Sequence, residues 1–135
     1  MTRFPLALAA IFRDENPYLR EWLEYHLLAG VSHFFLYDND GGDEAAALLR
    51  PYEEAGLVTR HPWLHLDGTG RDGPTPWGGR NKNHAAYAHA ARTHRGQVDW
   101  LMKIDLDEFL VPRRGDSLRE ALSRLDPEAV RAAWA

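Results

Sequence analysis

Residues 6 to 12 read Leu-Ala-Leu-Ala-Ala-Ile-Phe, a run without a polar side chain, and no other feature narrows the fold as much. A strand with one wet face alternates polar and apolar residues. A continuous run belongs to a strand covered on both faces, the condition of a parallel sheet between layers of helix. Only Arg3 precedes the run as a charge, and Arg13-Asp14-Glu15 follows at once, without the polar cleavage region of a signal peptide. A buried first strand is therefore the expectation.

The remaining segments alternate in the same sense. Asn16 as an N-cap with Pro17 in the first turn starts a helix whose apolar stripe is Leu19, Trp22, Leu23, His26 and Leu27, and Gly30 stops it. His33 to Tyr37 is a second buried strand running into the loop Asp38-Asn39-Asp40-Gly41-Gly42-Asp43. A short helix is expected from Glu44 to Arg50, interrupted by Pro51 with a further turn as far as Gly56, then a third strand from Leu57 to Arg60. Pro62 to Arg80 is a Gly/Pro-rich loop of a length that is usually functional, and a lid ordering over a ligand is the expectation. Asn81 to His94 reads as a helix and Trp100 to Ile104 as a fourth strand. Ser117-Leu-Arg-Glu120 is a capping box, and Ala129 to Ala135 either opens a strand or frays. The sum is an α/β fold with a mostly parallel sheet flanked by helices, one domain over residues 1–135.

Composition removes some functions. The net charge of −4 argues against nucleic acid as the main partner, though a nucleotide needs only a few local cations and backbone amides. With no Cys there is neither a disulfide nor a thiolate metal site. No apolar run reaches the length of a transmembrane segment, and a cytoplasmic location, at most at the inner membrane face, is expected.

Open parallel sheets bind ligands at the carboxyl ends of their strands. Three polar clusters fall at such ends: Arg13-Asp14-Glu15-Asn16, Asp38-Asn39-Asp40 and Asp105-Leu106-Asp107-Glu108. In an extended segment Asp105 and Asp107 point to one side, and two carboxylates there suit Mg²⁺ or Mn²⁺ completed by substrate phosphates. Apolar sequence on both sides, Trp100 to Ile104 and Phe109 to Val111, makes unpaired acids costly and favours a ligand over a solvated strand end. Asp38 and Asn39 are candidates for a ribose or base, Arg13 and Glu15 for the nucleotide, and Arg80 and Lys82 for a diphosphate. A calcium loop at Asp38 lacks the later bidentate acid. The seven His residues form no evident ligand set, because His84, His89 and His94 are five apart, and His26 reads as a core-edge residue.

Three stretches in this order carry a resemblance: Glu15 to His26, Gly30 to Asp40 and Trp100 to Leu110. Together they resemble glycosyltransferase family 92 and are similar to family-2-like bacterial glycosyltransferases. The resemblance covers nearly the whole chain. It implies a GT-A fold of Rossmann-like type, a nucleotide-sugar donor and a divalent metal, Mn²⁺ or Mg²⁺. By position, Asp105 and Asp107 match the metal-binding Asp-x-Asp, Arg13 and Glu15 match a Lys-Asn-Glu motif, and Asp38 and Asn39 match the nucleotide loop. Asn83 falls where relatives often have Gln, with Tyr87 four residues on. Asp14 stands in place of Asn, and Gly41-Gly42 in place of a Ser pair.

The function these readings imply is metal-dependent transfer of a sugar from a nucleoside-diphosphate sugar to the hydroxyl of a carbohydrate or glycolipid, with inversion at the sugar carbon. The family continues beyond Trp134, so the chain is expected to be the donor-binding half, truncated at its C-terminus, with a sheet edge open to self-association. No catalytic base is assigned, and Glu108 is expected to support the metal loop. One alternative is a catalytically incomplete nucleotide-sugar-binding fragment. Another, a phosphatase with Asp105 as nucleophile, would need a Thr/Ser and a Lys on later strands that are not evident here.

Overall fold

The computed structural model describes residues 4–39, 42–63, 82–115 and 117–134, with the side chains of 82–84 and 131–134 set aside. Its elements alternate: β1 (Phe4–Phe12), α1 (Asn16–Leu28), β2 (His33–Asp38), α2 (Asp43–Glu54), β3 (Val58–Pro62), α3 (Lys82–Thr93), β4 (Val98–Lys103), α4 (Leu118–Leu122) and α5 (Pro127–Trp134). The four strands lie in the order β3-β2-β1-β4 and every pairing is parallel, a Rossmann-like sheet flanked by helices.

The apolar run of β1 divides by parity, as a strand with period two must. Leu6, Leu8, Ala10 and Phe12 join Phe34 and Leu36 under Leu19, Trp22 and Leu23 of α1, Ala45 and Leu49 of α2, and Leu118 of α4. Ala7, Ala9 and Ile11 face the other way, with Phe35, Tyr37 and Trp63 under Ala85, Ala86 and Ala90 of α3. Small residues on that face of β1 and on α3 let the helix lie close to the sheet.

Several local expectations are corrected. Glu15, not Asn16, is the N-cap of α1, and Pro17 is inside the first turn. Helix α2 does not break at Pro51 but runs on to Glu54. Pro51 and Ala47 are both exposed, so water can serve the carbonyl left without an N–H partner. The tail forms α5 rather than a strand. The capping residue of α4 is as expected: Ser117 Oγ accepts from Glu120 N–H at 3.1 Å. Gly30 has φ +108°, and a Cβ there would stand 3.2 Å from Ser117 Cβ, so the glycine both turns the chain out of α1 and admits α4. Leu118 N–H to Ala29 O (2.7 Å) and Arg119 Nε–H to Gly30 O (3.1 Å) fasten that junction.

Strand β4 is a sheet edge. Beside it Phe109, Val111 and Leu125 are exposed. Among the described residues no helix is long and apolar enough to cross a membrane.

Candidate active site

The carboxyl ends of β1, β2 and β4 meet at one end of the sheet, because parallel pairing sets Phe12 beside Asp38 and Ala9 beside Lys103. There a cleft of about 370 Å³ is lined by Ile11, Phe12, Arg13, Glu15, Asn39, Asp105 and Asp107. Five of the residues singled out in the sequence are thereby brought together.

The chain leaves β1 through Asp14, which has φ 57°, a left-handed conformation that Asp and Asn tolerate better than most residues. The turn aims Arg13 outward, 60% exposed, and bends Glu15 back toward the Arg13 backbone. Burial raises the pKa of Glu15. The Arg13 backbone hydrogen bond opposes the rise, and the charges of Asp107 and Asp105 reinforce it. Glu15 thus senses both acids of the other strand end across the cleft.

Asp105 and Asp107 do not continue β4. The strand ends at Lys103, and residues 105–108 form a turn in which Asp105 and Asp107 are exposed and Leu106 is buried between them. The cost of enclosing unpaired acids in apolar strand is therefore not what holds them, since water reaches both. The turn is closed from each side: Glu108 N–H donates to Asp105 O at 3.0 Å, and Asp105 N–H donates to Glu108 Oε1 at 2.8 Å. Glu108 supports the loop, as its sequence position suggested. Tyr87 from α3 reaches Asp105 Oδ1 with its hydroxyl. Among the described residues no group of three His, Asp or Glu is arranged to hold a metal ion.

Asp38 and Asn39 separate. Asp38 is the last residue of β2, and its buried carboxylate accepts from Arg60 Nε (2.9 Å) and Nη2 (2.7 Å) on β3. Asn39 lines the cleft, with its backbone N–H on Phe12 O (3.0 Å) and its amide on Trp63 O (3.1 Å). Trp63 is buried against Tyr37. The rest of the expected lid, 64–80, lies outside the described residues, as do Asp40 and the side chains of Lys82 and Asn83, whose backbone opens α3.

Two groupings escaped the sequence. Trp22, Tyr25 and His26 of α1 bond to the backbone of residues 105–110. His61, His89 and His94 converge with Tyr37 beneath α3, although five-residue spacing had suggested dispersal. His94 lies just past the end of α3, and His61 comes from β3.

The sequence profile of glycosyltransferase family 92 matches residues 6–133. Among similar proteins, a glycosyltransferase family 92 protein of Ricinus communis is 29% identical over 87% of this chain and 19% of its own length. One of Oryza sativa subsp. japonica is 30% identical over 87% of the chain and 18% of its length. One of Arabidopsis thaliana is 32% identical over 77% and 16%. The chain thus spans less than a fifth of the length of these relatives. No solved structure matches it significantly. With nearly every described element inside the matched span, from the apolar first strand through the acidic turn at Asp105 to the helix after it, the chain belongs to glycosyltransferase family 92.

Proposed function

We propose that this chain is the nucleotide-sugar-binding part of a metal-dependent glycosyltransferase that moves a sugar from a nucleoside diphosphate to the hydroxyl of a carbohydrate or glycolipid, with inversion. The observation that carries the reading is the meeting of Glu15, Asp105 and Asp107 around one cleft with Arg13 and Asn39. The charges of Asp105 and Asp107 act on Glu15 across the cleft, and a cation on the two aspartates would relieve that like-charge repulsion. Mg²⁺ and Mn²⁺ commonly take one or two carboxylates and fill the remaining positions with water and ligand phosphate. Asp105 and Asp107 suit that donor set, and the diphosphate would bring the other oxygens.

When bound, such an ion stabilises negative charge developing on a departing diphosphate. The chain's own residues have the surrounding tasks. Asp105 and Asp107 would hold the ion, Glu15 sits at the same end of the cleft, and Arg13, exposed and 3.8 Å from the Asp14 carboxylate, would turn toward phosphate. Asn39 forms the wall where ribose or base would lie, with Asp38 behind it fixed by Arg60. Lys82, at the start of α3, is proposed for the diphosphate, and Asn83 beside it for the nucleotide sugar. A glycolipid acceptor would place the reaction at a membrane surface, for which we propose the inner face.

The second reading, a donor-binding module without transfer, is favoured by Glu108. Its carboxylate is engaged by the Asp105 N–H and is poorly placed to serve as a base. Calorimetric titration with UDP, GDP, ADP and their sugars, with Mn²⁺ and then with chelator, tests the shared core of both. Binding should depend on Mn²⁺ and be lost in Asp107→Ala and Asp105→Asn. Binding indifferent to chelator and to both variants would overturn the metal assignment. Transfer to a hydroxyl acceptor separates the two readings.

A further inference from the structure

We propose that Trp22 is a positioning residue for the acidic turn, and that Trp22, Tyr25 and His26 form a clamp through which α1 sets the aim of Asp105 and Asp107. The proposal rests on the metal reading above and names what holds that site in shape.

The turn is short and carries two exposed acids, and of its own side chains only Glu108, on the Asp105 N–H, and the buried Leu106 fix it. Its backbone is held from α1 as well. The Trp22 indole N–H is shared between Asp105 O at 3.2 Å and Glu108 O at 3.0 Å, the two carbonyls at the ends of the turn. One turn further along α1, His26 Nε2 accepts from Leu110 N–H at 3.2 Å. That leaves the proton on Nδ1, which donates to Trp22 O at 2.9 Å. Burial lowers the pKa of His26 and keeps the ring in this neutral form. Tyr25 completes the set by donating its hydroxyl to Leu110 O at 2.9 Å. The rings themselves are packed: His26 stacks on Phe109 at 5.6 Å, and Tyr25 meets Phe109 edge-on at 5.1 Å.

Trp22 and His26 are fully buried, and their spacing of four puts them on one face of the helix. A core helix needs apolar bulk at these positions. It does not need an indole N–H, an imidazole and a phenol, each spent on the backbone of one loop more than 80 residues away. Groups that orient a metal's ligands typically change metal affinity 10–100-fold when removed.

The test is Mn²⁺ affinity of the full chain in the presence of UDP, measured well below the unfolding temperature, with amide hydrogen exchange over residues 105–110. Trp22→Phe should weaken Mn²⁺ about tenfold or more and speed exchange in the turn. The analogue 3-benzothienylalanine at position 22 keeps the ring shape and lacks the N–H, so it reports the hydrogen bonds even if the Phe variant folds poorly. Tyr25→Phe should cause a smaller loss in the same direction. Leu19→Ala, a cavity on the same helix away from the loop, should lower Tm and leave Mn²⁺ affinity unchanged. Unchanged affinity with the analogue, or an equal loss in Leu19→Ala, overturns the clamp. Failure of the unaltered chain to bind Mn²⁺ with UDP overturns the metal reading itself, and the clamp with it.

Discussion

The Tyr87 hydroxyl stands 3.4 Å from Oδ1 of Asp105, reaching across from the helix opposite α1, so the acidic turn is touched from both layers of the fold. Burial pushes the Tyr87 pKa up to about 12, and the Asp105 carboxylate adds to the rise. The phenol therefore stays a donor at any working pH. Its Lys103 neighbour lies 5.0 Å over the ring.

The contact is long, and its acceptor is wet. A hydrogen bond of ordinary length contributes about 1 kcal/mol net, and a longer one less. Tyr87→Phe should therefore lower stability by less than about 1 kcal/mol. It should change Mn²⁺ affinity less than Asp105→Asn does. Equal losses in the two variants, by calorimetry, would mean that Tyr87 meets the ligand directly.

Much of this site was legible in the sequence, and what was hidden was hidden for physical reasons. Apolar runs ending in polar clusters mark strand ends, and parallel order brings strand ends together, so the meeting of Arg13, Glu15, Asn39, Asp105 and Asp107 at one cleft was legible. The fate of Asp38 was not. Asp38 is the last residue of β2, where strand passes into the polar loop, and the run Phe34 to Tyr37 before it has no polar alternation, so the pattern gave no sign that its carboxylate is buried. Its partner Arg60 sits two strand positions from Val58, on the face toward α1 and α2. Trp22 and His26 were read only as part of an apolar stripe and Tyr25 was not singled out, because their hydrogen bonds span more than 80 residues and leave no local mark. The acids at 105 and 107 were expected in extended chain and lie in a turn, yet the buried Leu106 between them preserves their common direction.

The Asp38–Arg60 pair makes a sharper prediction. Asp38 is fully buried and Arg60 is 21% exposed. Arg60→Met removes the cation and leaves the carboxylate in the interior, which typically costs about 3–5 kcal/mol. Asp38→Asn added to Arg60→Met should recover part of this, because no buried charge remains. Denaturant unfolding of the single and double variants measures the recovery. An Arg60→Met variant as stable as the parent would show that the ion pair is dispensable.

Gly30→Ala combines a left-handed backbone, φ +108°, with a Cβ 3.2 Å from Ser117 Cβ. The expected loss is about 1–2 kcal/mol, since Ala is strained at positive φ and α4 must shift to make room. Thermal unfolding reads the loss. Exchange of the Leu118 amide, which donates to Ala29 O at 2.7 Å, reads the loosened junction.

The histidines beneath α3 set a pH dependence whose sign follows from their bonds. His94 Nδ1 faces Gln97 Oε1 at 3.0 Å and so carries the proton. Its Nε2 then accepts from His61 Nε2–H at 3.1 Å. Protonating His94 would set two N–H groups head to head. The His61 ring is stacked on Tyr37, and His89 meets both the His61 ring and the Tyr37 hydroxyl. Burial, then His89 and His94, lower the His61 pKa to about 4, and burial lowers that of His94. Both groups have folded pKa values below the ordinary 6.5. The unfolded chain therefore binds more protons as pH falls, and stability rises with pH. The contribution is full above about pH 6.5 and declines as pH drops toward about 4. Because His61 is partly exposed, solvent screening reduces its effect to on the order of 2 kcal/mol. Tm should fall across that window, and His61→Phe, which keeps a ring against Tyr37, should flatten the fall. An equally steep decline in the variant would place the acid sensitivity elsewhere in the fold.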